Sequence, residues 1–158
     1  MDALPHEVQL ASFRLGNTLF AVDIMRIREI IQPQRIAQLP QESRMLEGMI
    51  NLRGAVMPVM NLRNRFNMPP RSGQAGKLMV VTIAGCPMAL AVDDVDEVLT
   101  VPLKDIAPAP DMVAGVGAEY LIGVCLCNNE LYMILNIDTI CSAGERREWT
   151  AVARGVAV

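Results

Sequence analysis

One stretch of the chain occurs twice. Gly48 to Phe66 (GMINLRGAVMPVMNLRNRF) reads as two short apolar runs around a turn, followed by the start of a helix. Gly123 to Cys141 (GVCLCNNELYMILNIDTIC) repeats it 75 residues later without a gap. Gly48 matches Gly123, Val59 matches Ile134, Asn61 matches Asn136 and Leu62 matches Ile137. Arg53-Gly54 supplies the first turn, because glycine tolerates the positive φ of tight turns. Asn128-Asn129 falls at the second turn, and Asn also enters the left-handed region. Asn61 is a good helix N-cap. Pro58 predicts that its strand lies at a sheet edge or carries a bulge.

The matched stretch has company upstream. Ala21-Val22-Asp23 and Arg28-Glu29-Ile30-Ile31 have echoes in Ala91-Val92-Asp93 and Asp96-Glu97-Val98-Leu99, with two residues fewer between. Each half thus runs strand, AVD, acidic-aliphatic run, hairpin and Asn-capped helix. Two copies of one small β module in tandem are expected. Before the first AVD, Glu7 to Leu15 alternates and Gly16-Asn17 turns the chain back into Thr18 to Val22, a hairpin signal. Asp23 caps a short turn over Ile24 to Arg26. Ile27 to Ile31 reads as extended, with a helix from Ile24 as the competing assignment. Gln32 to Gln41 reads as a loop and Glu42 to Glu47 as a brief helical turn. Pro69 to Gly76 is the clearest linker. In the second half Leu78 to Ile83, Met88 to Val92 and Val95 to Leu99 read as strands, and Pro102 to Gly117 as a long ordered loop. The expected limits are one domain over 9–142, a first barrel over 9–68, a second over 77–142, and a tail over 143–158. Trp149, Val152 and Val156 stand at helical spacing in that tail, which either docks as a last helix or frays.

Composition narrows the function. At 158 residues the chain is one domain or two small modules sharing a core. The hydrophobic fraction is 52% with a mean hydropathy of +0.30, yet no apolar run approaches the ~20 residues of a membrane span. The N-terminus lacks the basic start and apolar stretch of a signal peptide, so a cytoplasmic protein is expected. Net charge is -3 and the pI about 5.1, which disfavours nucleic acid, since phosphate contact needs a basic field. Eleven methionines carry apolar bulk that three phenylalanines do not. Methionine fills irregular core gaps more often than it marks an adaptable surface.

Catalytic chemistry is thinly represented. Neither a G-x-S-x-G elbow nor a G-x-x-x-x-G-K-[ST] loop occurs. Asp93, Asp94, Asp96 and Glu97 do not match a calcium loop, and an extended run throws neighbours to opposite faces. Cys125 and Cys127 face one side of a strand, but C-x-C without a histidine or a second close pair is poor zinc spacing. Buried small hydrophobes are the simpler assignment. No catalytic residue, metal or cofactor is expected, and a binding protein is the better reading. The distant alternative is a metal-dependent or small-ligand enzyme built on the acidic run and the cysteines.

Four segments resemble the CheW-like family: F-x-L-G-x-x-x-F-A-V-D-I-x-x-I-R-E-I-I at Phe13 to Ile31, G-M-I-N-L-R-G-x-V-M-P-V-x-N-L-R at Gly48 to Arg63, V-D-x-V-x-E-V-L at Val92 to Leu99, and Tyr120 to Gly123. The likeness covers about Gln9 to Ile140, and nothing beyond this domain is seen, which is similar to the family's stand-alone coupling form. It implies an all-β fold of two SH3-like five-stranded β-barrels packed together, with short helices. It also implies a non-catalytic adaptor between the cytoplasmic tip of chemoreceptors (methyl-accepting proteins) and the regulatory domain of a CheA-type histidine kinase. Such a protein is cytoplasmic and recruited to membrane-associated receptor arrays, without inserting into the membrane. Carried over by motif position, the receptor groove takes Ile27, Glu29, Arg53, Val92, Val95 and Val98, while Gly48, Asn51 and Gly54 belong to a hairpin contact region. Glu29 and Arg53 are the expected acid–guanidinium pair. Asp94 stands where the family often has Gly. The alternative within the family is a coupling protein of a non-flagellar system, governing twitching or a second messenger.

Overall fold

The computed structural model describes residues 6–38, 44–70, 76–113 and 115–156. The middle of the expected linker, the end of the loop after Gln38 and the start of the turn expected from Glu42 lie outside the described residues. In chain order come β1 (Glu7–Leu15), β2 (Thr18–Asp23), a 3-10 turn over Ile24–Arg26, β3 (Ile27–Ile31), β4 (Leu46–Leu52), β5 (Ala55–Asn61) and α1 (Leu62–Arg65). The second half adds β6 (Lys77–Ile83), β7 (Cys86–Val92), β8 (Asp94–Pro102), β9 (Ile106–Ala107), β10 (Met112–Val113), β11 (Val116–Gly117), β12 (Leu121–Cys127), β13 (Glu130–Leu135) and α2 (Ala143–Val156). The local expectations hold at Asp23 and Asn61, while Asn136 caps only a 3-10 turn over Ile137–Thr139. Asp23 accepts from the Met25 N–H at 2.9 Å and Asn61 from the Asn64 N–H at 3.1 Å.

The strands form two SH3-like barrels, but not one from each half. One sheet runs β8-β1-β2-β13-β12-β9, the other β3-β6-β7-β5-β4. The first hairpin of each repeat therefore pairs with the second hairpin of the other repeat. The joining ladders are parallel: β13 with β2 through Met133–Phe20 and Ile134–Ala21, and β5 with β7 through Val59–Ala89 to Asn61–Ala91. The expected split into 9–68 and 77–142 is corrected accordingly, since the two repeats are interleaved. Barrel A holds β1, β2, β8, β9, β12 and β13, and barrel B holds β3 to β7. Periodicity assigns faces to strands but cannot say which strand lies beside which.

Each barrel closes by a short return. After β8 the chain bends through Leu103–Asp105 and comes back as β9, which pairs with Val124 and Cys125 of β12. Strand structure thus replaces part of the loop expected over Pro102 to Gly117. In barrel B, Ala37 exchanges backbone hydrogen bonds of 2.8 and 2.9 Å with Met49. The repeated glycines make room for this return. A Cβ on Gly48 (φ +155°) would lie 2.5 Å from the Ala37 carbonyl oxygen, and one on Gly123 2.5 Å from that of Ala107. Real Cβ atoms do not approach so closely.

Three apolar clusters fill the molecule. Barrel A encloses Leu10, Ala21, Cys125, Tyr132 and Ile134, and barrel B the corresponding Val80, Ala91, Ile50, Met57 and Val59. The third and largest lies between the barrels and takes Met49, Met60, Met79, Met88 and Met133. Methionine suits a seam between two surfaces that are not copies of each other, because its unbranched thioether fills irregular gaps. Phe13, Phe20 and Phe66 stack at 5.3 Å spacings through this seam, and Tyr120 meets Phe66 edge-on at 5.6 Å. Strand pairing also resets one part of the repeat. Leu10 faces Leu99, and its counterpart Val80 faces Glu29, so Glu29 corresponds to Leu99 and not to Glu97.

Pro58 is not at an edge. Its strand β5 lies between β7 and β4, but the ladder to β7 begins only at Val59. Helix α2 lies against β5 nearby, where Pro58, Thr150 and Ala153 line one crevice. The tail therefore docks, with Trp149 1% and Ala153 6% exposed. Its start is a capping box: the Glu145 N–H donates to Ser142 Oγ at 3.0 Å, and the Ser142 N–H donates to Glu145 Oε1 at 2.8 Å. Arg65 adds a 2.7 Å ion pair to Glu145. Burial works against ionising Glu145, but the Ser142 N–H and the Arg65 guanidinium outweigh it and hold the carboxyl below its ordinary range. The ionised form thus stabilises the fold above an unfolded value of 4.5, and that contribution disappears as the pH falls through the lower folded value. Glu145→Gln is expected to cost about 1–2 kcal/mol at neutral pH. In urea titrations the difference from wild type should shrink as the pH drops below 4.5.

Candidate partner-binding site

The exposed ion pair between Glu29 and Arg53 sits at the rim of barrel B. Arg53 (φ 51°) and Gly54 (φ 88°) form the two-residue turn between β4 and β5. Positive φ at both positions is the turn that matches strand twist. Asn51 Oδ1 accepts from the Gly54 N–H at 2.9 Å and fixes the tip. The Arg53 side chain is 69% exposed and that of Glu29 35%. Strands β3 and β4 are the two edges of the five-stranded sheet, and the pair joins β3 to the turn that follows β4. In barrel A the counterpart of Glu29 is Leu99, 4% exposed inside the barrel, and the counterpart of Arg53 is Asn128. One barrel therefore carries a solvent-facing charge pair where the other carries a core leucine and a turn asparagine.

The other expected residues divide by burial. Ile27 and Val95 are half-buried against the inter-barrel core, and Val92, 2% exposed, is part of that core. These three therefore share one apolar seam. Val92 is corrected from a contact residue to the floor beneath it. Val98 is 50% exposed on β8. Gly48 is likewise corrected: it is buried beneath Ala37 and shapes the hairpin, whereas Asn51 and Gly54 are exposed.

The acidic run is not one site. Asp93 is a structural node: its carboxylate accepts from Arg63 Nε at 3.2 Å and from the Gly16 N–H at 2.6 Å. Arg63 also donates to the Pro69 carbonyl at 2.7 Å. Asp94 Oδ1 accepts from the Val95 N–H at 2.9 Å, and Asp96 pairs with Arg14 at 2.8 Å. Sequence reading missed this node. Position 63 matches position 138, where Asp138 pairs with Arg26 at 2.7 Å. Each helical turn is thus tied to the other repeat, but to unmatched positions, since Asp93 answers to Asp23 and not to Arg26. The Arg26 guanidinium holds the Asp138 carboxyl below its usual range.

Cys125 lies inside barrel A with Cys127 half-buried against the same cluster. Burial, reinforced by Cys127 and Asp105, pushes the Cys125 thiol up, which disfavours the reactive thiolate. Among the described residues no group of three or more His, Cys, Asp or Glu side chains is placed to hold a metal ion. No helix among them is long and apolar enough to cross a membrane.

The model of the CheW-like domain matches residues 9–145. The chain belongs to the CheW-like family. It is 28% identical over 144 residues to a chemotaxis protein CheW of Treponema pallidum, covering 88% of this chain and 85% of that one. Against a chemotaxis protein CheW of Rhizobium meliloti the identity is 30% over 139 residues, covering 87% and 90%. In three dimensions it is similar to the crystal structure of the scaffolding protein TtCheW from Thermoanaerobacter tengcongensis, with a TM-score of 0.80 at 26% identity, covering 90% and 93% of the two chains. The matched region of this CheW-like chain takes in both barrels, the seam and the Glu29–Arg53 rim.

The two arginines of the N-L-R segments differ in what they hold. Arg63 and Asp93 side chains are only 16% and 19% exposed. Arg63→Ala should cost about 3 kcal/mol, as loss of one partner of a largely buried pair does. Arg53→Ala should cost less than about 1 kcal/mol, as for exposed pairs. Chemical denaturation of the two variants beside wild type measures the contrast.

Proposed function

We propose that this chain is a non-catalytic chemotaxis adaptor that couples a chemoreceptor's cytoplasmic tip to the regulatory domain of a CheA-type histidine kinase. The mechanism is positional. Receptor and kinase are held against one rigid pair of barrels, so that a change in receptor packing alters kinase output. Membership of the CheW-like family and the likeness to a scaffolding protein support this reading.

One observation carries it furthest: the Glu29–Arg53 pair stands in solvent at a barrel rim whose counterpart in barrel A is a buried leucine. An exposed pair contributes little to folding. A planar guanidinium oriented by a tight turn is nonetheless well suited to fix a partner's polar groups. Ile27, Val95 and Val98 supply apolar contact beside it, with Val92 and Gly48 supporting from below and Asn51 and Gly54 at the hairpin tip. An α-helical hairpin is the receptor element such a seam accepts, with apolar anchors setting affinity. Recruitment to membrane-associated arrays follows from that binding.

Arg53→Glu tests the assignment. It places two carboxylates together, and like charges at a contact cost several kcal/mol. Ternary assembly with a receptor tip and a kinase should weaken at least about tenfold, while the melting curve stays near wild type. Unchanged assembly would remove the pair from the interface. Run against several receptors and kinases, the same pull-down separates a motility array from a system with another output.

A further inference from the structure

The way the repeats interlock points to a second copy of this chain as a partner. Inside each barrel the ladders β1–β8, β2–β13, β3–β6 and β5–β7 all join residues of the first repeat to residues of the second. The ion pairs Arg14–Asp96, Arg26–Asp138, Arg63–Asp93 and Arg65–Glu145 cross the same way. So does the Phe66–Tyr120 contact. Glu29–Arg53 stays within one repeat. The two repeats are therefore two partners in an extensive association, and the covalent connection between them is only the backbone from Asn67 to Gly76. None of the contacts just named requires that both repeats come from one molecule.

We propose that two copies exchange whole repeats, giving a dimer in which each pair of barrels combines the first repeat of one chain with the second repeat of the other. Every ladder and ion pair named above is reproduced in that dimer. Only the connection changes course, which is the condition under which exchange of identical elements is thermodynamically cheap. The balance is set by the effective concentration that so short a connection imposes, of roughly millimolar order. Chains folding at about 10 μM then place about 2% of their mass in the exchanged dimer, and chains folding at about 1 mM roughly half. Exchange must part the cross-repeat ladders inside both barrels, so folded monomer and dimer interconvert only as fast as the molecule unfolds.

The test uses the wild-type chain in two preparations carrying different affinity tags. In one arm they are denatured together, refolded at about 1 mM and then diluted. In the other they are folded separately and mixed at the same concentration. Expected is a species of twice 17.3 kDa by light scattering that carries both tags, survives dilution and forms only in the first arm. A dimer that appears equally when folded chains are mixed, or that falls apart at once on dilution, is surface association and overturns the proposal. A preparation that remains monomeric in both arms overturns it as well.

Discussion

Two short parallel ladders, β2 with β13 and β5 with β7, decide what this chain is. Each fastens the first hairpin of one repeat to the second hairpin of the other, so neither barrel exists until both repeats are present. Everything else is arranged around that exchange. The methionine-rich seam is the surface on which the two barrels meet. The phenylalanine stack runs through it. The paired tethers Arg63–Asp93 and Arg26–Asp138 tie each helical turn to the opposite corner. With so many contacts between residues distant in sequence, loop-closure entropy opposes assembly until many form together. The product is one cooperative body, which a scaffold needs if it is to transmit the position of one partner to another.

Duplication supplies two equivalent ends, and substitution has made them chemically unlike. At the tip of the β4–β5 hairpin stand Asn51 and Val56, and at the matching places on β12–β13 stand Leu126 and Leu131. Asn51 is polar and close to the Glu29–Arg53 rim, while Leu126 and Leu131 face each other across their strands at 65% and 48% exposure. The barrel interiors stay buried in both halves, whether counterparts differ by one methylene (Val59 and Ile134, Val80 and Leu10) or by more (Ile50 and Cys125, Met57 and Tyr132). Close packing limits such change to what the neighbours can compensate. Rims and tips are free of that limit, so binding character is written there while the fold stays common to both halves.

Much of this architecture was legible in the residues, and the boundary of legibility is physical. Turns and caps follow from local chemistry, so Arg53-Gly54, Asn128-Asn129, Asp23 and Asn61 were read correctly from the chain. The two-barrel class came from the repeat together with the family resemblance. Partnership between strands is different, because alternation says which side of a strand is apolar and nothing about its neighbour. Hence the tandem split failed, Pro58 was expected at an edge, and Ile106-Ala107 was read as loop. The site residues show the same division. Glu29 and Arg53 do meet, and Arg53 belongs to a turn that sequence specifies. Val92 and Gly48 turned out buried, because exposure depends on what tertiary packing lays over a residue, as Ala37 does over Gly48. The Arg63–Asp93 node was hidden for the same reason, since it joins residues of different repeats.

The ionic groups of the described residues divide between fastening the repeats and facing solvent. Among the described residues, Asp138 is held low by Arg26, Glu145 is held low against its burial by the Ser142 N–H and Arg65, and Glu47 is raised by burial. The first two are fastenings between repeats, and the perturbed Cys125 thiol is sealed in a barrel. Charge inside the body is thus largely committed to holding the halves together. The Glu29–Arg53 pair is the exception in kind. It joins residues of one repeat, lies in high dielectric and contributes little to the fold. When a partner covers it and excludes water, the same two charges act in a lower dielectric, where a guanidinium already oriented by its turn loses less freedom on engagement. In the proposed interface, near-neutrality for stability together with preorganisation for contact is what sets Arg53 apart from the structural Arg63.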